Sequence, residues 1–134
     1  MNVGSPADRK ATILVVDDEP AITGLLSRVL ALDGHTVHAA STGSEAIKLA
    51  SDIHPDIIVM DITMPEMDGY EATTHIKNDP ALKKTPVIFL TGKSAEEDAG
   101  RAFAKGGLTF VRKPFSNQQI RDLVSLTLDS IAVE

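Results

Sequence analysis

Three carboxylates, a hydroxyl and an ammonium stand directly behind short apolar runs in this chain. Asp17 and Asp18 follow "TILVV" (12–16), Asp61 follows "DIIVM" (56–60), Thr91 with Gly92 follows "PVIFL" (86–90), and Arg112, Lys113 and Pro114 follow "LTFV" (108–111). Three acids drawn to one place repel one another, so they need a cation between them or protons shared among them. An all-oxygen set suits a hard ion such as Mg²⁺, which keeps several waters and takes few protein ligands. A hydroxyl donor from Thr91 and the point charge of Lys113 then supply what a metal-bound anion needs. The chemistry implied is delivery of a phosphoryl group to a carboxylate, with Asp61 as the central acid.

For these residues to meet, the apolar runs must be strands of one parallel sheet. The four runs above and "TVHAA" (36–40) have the length and β-branched content of strands. Between them the period is helical: Ile22, Leu25, Leu26, Val29 and Leu30 form one stripe, Ala46, Leu49, Ala50 and Ile53 a second, and Ile120, Leu123, Val124 and Ile131 a last. Strand then helix, five times, predicts an α/β fold with helices on both faces of a parallel sheet. The continuous apolar runs at 13–16, 57–60 and 87–90 suit strands buried on both sides, whereas the run containing His38 suits an edge. Right-handed crossovers gather the C-terminal ends of parallel strands on one edge, where open α/β sheets bind ligands. Pro20 fits the first turn of a helix, and Gly34 and Gly106 fit C-terminal caps.

Length and composition bound the reading. The chain of 134 residues reads as one domain over 11–132 behind a flexible tail of residues 1–10. It has no Cys, which excludes disulfides, thiolate metal sites and a Cys nucleophile. No apolar run approaches the roughly 18 residues of a membrane span, and the N-terminus lacks the core of a signal peptide, so a cytoplasmic protein without a membrane partner is expected. A net charge of −6, 13 scattered Lys and Arg, and only four Phe and one Tyr disfavour direct nucleic-acid binding. None of His35, His38, His54 and His75 has ligand spacing with another, and Glu96, Glu97 and Asp98 read as favourable charge at a helix N-terminus.

At "LVVDDEP", "IIVMDITMPEMDG", "VIFLTG" and "VRKPF" the chain resembles the receiver (CheY-like) domain of two-component response regulators, over roughly residues 11–132 and in that family's order and spacing. The resemblance implies a flavodoxin-like, doubly wound, five-stranded parallel sheet of order 2-1-3-4-5 with five helices. It implies Asp61 as phosphoacceptor, and Asp17, Asp18, Asp61 and the backbone carbonyl of Thr63 as ligands of Mg²⁺, with Mn²⁺ as a substitute. Thr91 and Lys113 would contact phosphoryl oxygens, Thr91 and Phe110 would form the switch, and the Lys113–Pro114 peptide would be cis.

The function then implied is a signalling phosphoprotein rather than an enzyme in the usual sense. Asp61 would take the phosphoryl group from a phosphohistidine of a histidine kinase or histidine phosphotransfer protein. Movement of Thr91 toward the group would let Phe110 turn inward and repack the surface of the fourth helix, fifth strand and fifth helix for a downstream protein effector. Gly24 inside the first helix reads more simply as a tolerated exposed glycine than as a close partner approach at Ala21, Thr23 and Gly24, where kinases dock in the family it resembles. Three departures bear on tuning. Phe110 lacks the hydroxyl of the Tyr that many relatives carry there; Thr63 and Lys93 occupy positions that tune access of water and phosphatases; and Gly107 and Leu108 replace an acidic pair used in dimer contacts, which leaves the oligomeric state open.

Plainer roles exist for each residue alone. Asp17 and Asp18 would serve as helix caps, Asp61 and Thr91 as turn residues, Lys113 as a solvated side chain and Phe110 as core. Their convergence on one sheet edge favours a site. A flavodoxin-like cofactor binder would need a Ser/Thr/Gly-rich phosphate cradle where "DDEP" stands. A dehalogenase-type phosphatase would need D-x-D-x-T after the first strand, which "VVDDEPA" lacks. A degenerate receiver working without phosphate would not need the full set of site residues.

Overall fold

The computed structural model describes residues 10–92 and 109–132. Five strands, β1 (Thr12–Val16), β2 (Thr36–Ala40), β3 (Ile57–Asp61), β4 (Val87–Thr91) and β5 (Thr109–Arg112), pair in parallel in the order β2-β1-β3-β4-β5. They alternate with α1 (Pro20–Leu32), α2 (Gly43–Ile53), α3 (Gly69–Lys77) and a C-terminal helix (Asn117–Ala132). A single turn of 3₁₀-helix, Pro80–Leu82, leads into β4. The fourth of the five expected helices, like most of the expected tail, Lys93, the Glu96–Asp98 run and the glycine cap at Gly106, falls outside the described residues, as do Gly107 and Leu108.

Period-two alternation sends the strand residues to two cores. Leu14, Val16, Ile58, Met60 and Phe89 pack against α2 and α3 residues such as Ala46, Ala50, Tyr70 and Ile76. Ile13, Val15, Ile57, Val59, Ile88 and Leu90 pack against Leu26, Val29 and Leu30 of α1 and Ile120, Val124 and Leu128 of the C-terminal helix. Every residue of β3 and β4 is buried, whereas β2 is largely open, as its edge position requires. Each fully buried aliphatic or aromatic side chain contributes about 1.5–3 kcal/mol, and the central strands concentrate these contributions beneath the sheet edge that carries the acids.

Caps fix where the helices start and stop. Thr42 accepts the Glu45 N–H at 3.0 Å, and Glu45 returns a carboxylate to the Ser41 N–H at 2.8 Å, so Ser41 and Thr42 serve α2. Asp68 caps α3 through the Glu71 N–H at 2.8 Å. At the end of α1 the Gly34 N–H bonds Ala31 O and the His35 N–H bonds Leu30 O, with Gly34 at φ +92°: a Schellman motif closed by the residue expected to close it. Three strand ends differ from the expectation: β5 runs onto Arg112, which pairs with Thr91. β3 and β4 each run one residue further, onto Asp61 and Thr91, because the backbone ladder continues through the Asp61–Leu90 pair and the Ile62 N–H to Leu90 O bond of 3.0 Å.

Candidate functional site

The strand ends place the acids together. Asp17, directly after β1, is fully buried; Asp61, the last residue of β3, is 3% exposed; Asp18 stands open to solvent. One carboxylate oxygen from each of the three lies within 4.8 Å of the others. Lys113, just beyond β5, reaches across with its Nζ 2.8 Å from Asp17 Oδ2 and 3.3 Å from Asp61 Oδ1. Its backbone N–H donates to Thr91 O at 2.7 Å, which anchors the lysine to the end of β4. The Lys113–Pro114 peptide is cis. Asp18, Glu19, Asp61, Thr63, Gly92 and Lys113 line an open cleft of about 420 Å³ over this cluster.

Among the described residues the site holds more acids than bases. Burial, and next the charge of Asp17, push the Asp61 carboxyl up to about 6 even though Lys113 pulls it down. Burial alone would lower the Lys113 ammonium, but the adjoining Asp17 and Asp61 carboxylates outweigh it and hold it above its ordinary value. Asp17 uses Oδ1 to accept the Glu19 N–H at 2.9 Å. Its Oδ2 is buried and pairs with the Lys113 ammonium at 2.8 Å. An all-oxygen donor set that close, whose burial and mutual repulsion push Asp61 up, fits a hard divalent cation.

The remaining expected residues lie around this cluster. Thr91 ends β4 and is 2% exposed. Phe110 pairs with Phe89 across the β4–β5 ladder and is half-buried against the core on the α2 and α3 face. Thr63 is exposed on the cleft wall. The N-cap of α1 is Glu19, which makes no side-chain cap bond, but Asp17 Oδ1 accepts the Glu19 N–H, so Asp17 both anchors the start of α1 and faces Lys113.

Two residues escape sequence reasoning. Glu19 is a further acid at the cleft rim, its carboxylate 3.7 Å from Lys113 Nζ; its place in "DDEP" was the available signal. Gly69 is the other. It is the buried first residue of α3, and a Cβ on it would overlap the Asp61 carbonyl oxygen. A glycine directly after a capping acid, where any residue could open a helix, was the clue.

Comparison with known proteins places this arrangement. The family model of the response regulator receiver domain matches residues 13–125. The regulatory protein AtoC of Escherichia coli strain K12 is 40% identical over 116 residues, 87% of this chain and 25% of AtoC. A probable cyclic di-GMP phosphodiesterase of Vibrio cholerae is 38% identical over 121 residues, 90% of this chain and 27% of that protein. The chain thus spans about a quarter of either relative. The crystallised chemotaxis protein CheY4 of Vibrio cholerae superposes with a TM-score of 0.85 at 28% identity, covering 89% of this chain and 99% of CheY4. With the 2-1-3-4-5 sheet, the acids at its C-terminal edge and a family match across nearly all of the fold, the chain belongs to the response regulator receiver domain family.

Proposed function

We propose that residues 11–132 form a receiver in which Asp61 accepts a phosphoryl group from a phosphohistidine of a histidine kinase or histidine phosphotransfer protein. The observation that carries this reading is the crowding of Asp17, Asp18 and Asp61 within 4.8 Å, with the Lys113 ammonium against Asp17 and Asp61. Asp17, Asp18, Asp61 and the Thr63 carbonyl would hold Mg²⁺, or Mn²⁺ in its place. The ion would neutralise charge on the transferring phosphoryl oxygens and favour the ionised form of Asp61.

The chain's own residues do the rest. An ionised Asp61 oxygen forms the new O–P bond as the N–P bond of the donor breaks, and the departing imidazole nitrogen keeps the electron pair. Asp61 must be deprotonated to attack, so a carboxyl held near 6 is nucleophilic at neutral pH and loses that capacity as pH falls. Lys113, already 3.3 Å from Asp61 Oδ1, supplies a positive charge where negative charge gathers in transfer. Thr91, buried beside it at the end of β4, would donate its hydroxyl to the new group. Phe110 is half-buried on the neighbouring strand, which suits a ring that turns inward as Thr91 moves and alters the surface offered to a downstream protein effector. The domain would hydrolyse its own acyl phosphate and turn over no other substrate.

Transfer from a radiolabelled phosphohistidine on a histidine phosphotransfer protein tests the proposal. Label should move to the wild type in the presence of Mg²⁺ and not to Asp61→Ala; label moving equally to both would refute Asp61 as the acceptor.

A further inference from the structure

The close approach of Gly69 to Asp61 goes beyond packing. We infer that Gly69 is a positioning residue for phosphoryl transfer: the first turn of α3 is a backstop that sets the backbone of Asp61 and the 62–68 loop carrying Thr63. The inference rests on the phosphoacceptor reading above and adds a residue that touches neither the phosphoryl group nor the cation.

What a side chain at Gly69 would meet is backbone, and backbone of the nucleophile itself. A Cβ there would overlap Asp61 O and come within 3.0 Å of the Asp61 carbonyl carbon and of Ile62 Cα. The other described glycines face less rigid neighbours. The nearest atoms to a Cβ belong to the Met67 side chain at Gly43 and to the Lys10 side chain at Gly34, and at Gly24 and Gly92 there is nothing within 4 Å. Gly69 is not left-handed, so space rather than backbone angle demands a glycine there.

Hydrogen bonds couple the same atoms. The Gly69 N–H donates to Ile62 O at 2.8 Å while the Ile62 N–H donates to Leu90 O at 3.0 Å, so the residue between Asp61 and Thr63 is held from α3 on one side and from β4 on the other. α3 cannot simply retreat, because Tyr70, Ala72 and Ile76 are buried and the Tyr70 ring meets Phe89 edge-on at 4.9 Å between centroids. Any bulk at position 69 therefore displaces the strand end and the loop, where Asp61 and Thr63 supply donor atoms to the cleft. Ångström-scale misplacement of a reacting group costs on the order of 100-fold in rate.

The test compares Gly69→Ala, alone and in a Gly24→Ala background chosen for helix stability, with Gly34→Ala as a steric control whose Cβ would press on Lys10, away from Asp61 and the 62–68 loop. For each, thermal melting gives the folded fraction, calorimetric titration gives Mg²⁺ affinity, and intact mass gives the initial rate of adduct formation from acetyl phosphate. Gly69→Ala is expected to be folded at the assay temperature, to bind Mg²⁺ more weakly, and to form the adduct on the order of 100-fold more slowly. Gly34→Ala, where folded, should keep the wild-type rate and affinity. A folded Gly69→Ala with wild-type rate and affinity overturns the inference. So does failure to fold in both backgrounds, because the glycine would then serve the whole fold rather than the site. Absence of any adduct on the wild type would instead bring down the phosphoacceptor reading itself.

Discussion

At the scale of single residues, the site is arranged for function against stability. A carboxyl whose pKa is raised on folding holds its proton more tightly in the folded than in the unfolded chain. Asp61, pushed from 3.8 to about 6, therefore destabilises the cation-free fold above pH 6, and the penalty fades as pH falls from 6 toward 3.8. Asp61→Asn is accordingly expected to raise the stability of the cation-free protein at pH 7.5 by on the order of 1–3 kcal/mol, with the gain shrinking toward pH 4. Urea titrations across that range check the prediction, and a gain that grows as pH falls would contradict it. Lys113 acts in the opposite sense on the same carboxyl, so Lys113→Met should move the Asp61 midpoint upward from about 6, as read by carbon-detected NMR of the side-chain carboxyl; an unmoved or lowered midpoint would speak against the ion pair. The gathering of Asp17, Asp18, Asp61, Thr91 and Lys113 at one sheet edge was legible because each stands behind an apolar run of strand length. The reach of Glu19 to Lys113 and the contact of Gly69 with Asp61 were not, since both depend on the angle at which α1 and α3 leave the sheet.

At the scale of elements, local chemistry and tertiary packing agree at most helix ends, and two glycines separate the cases. Gly34 sits at φ +92° in the Schellman cap of α1, where a Cβ is strained and would press on the Lys10 side chain. Gly24 lies inside the same helix with open space around it, so the fold does not require it. Gly34→Ala should destabilise by about 1–2 kcal/mol and Gly24→Ala should stabilise by about 1 kcal/mol. Thermal melts of both variants check the pair, and equal signs would contradict the account of the helix. The helical stripes and all five strand positions were readable from the apolar pattern. The extension of β3 onto Asp61 and of β4 onto Thr91 was not, because a polar residue at a strand end looks the same to pattern reasoning whether it closes the ladder or follows it.

At the scale of the whole molecule, contacts far apart in sequence tie the sheet to its helices. Arg121 makes a two-pronged bond to Asp33, at 2.9 Å from Nε and 2.7 Å from the outer guanidinium nitrogen, joining the C-terminal helix to the end of α1 and holding the Asp33 carboxyl below its ordinary value. His35, buried next to it, accepts the Ala11 N–H on Nδ1 at 3.1 Å and so pins the start of β1 in a form that requires the neutral ring. Burial lowers its pKa from 6.5, so its contribution is complete above 6.5 and is lost as pH falls below it. This dependence opposes that of Asp61, and in cation-free Asp61→Asn the stability should decline as pH falls below about 6.5. A flat profile would contradict that role for His35. None of these pairings was visible in the sequence, whereas the layer order was, once the resemblance supplied the strand order.

The central claim is that this sheet edge phosphorylates Asp61 with the help of a divalent cation. Intact mass after incubation with acetyl phosphate, with and without Mg²⁺, on wild type and Asp61→Ala, tests it most directly. The account predicts one phosphoryl adduct on the wild type that requires Mg²⁺ and is absent from Asp61→Ala, decaying over time as the acyl phosphate hydrolyses. A wild type that neither gains the adduct nor binds Mg²⁺, or an adduct that persists in Asp61→Ala, would contradict it.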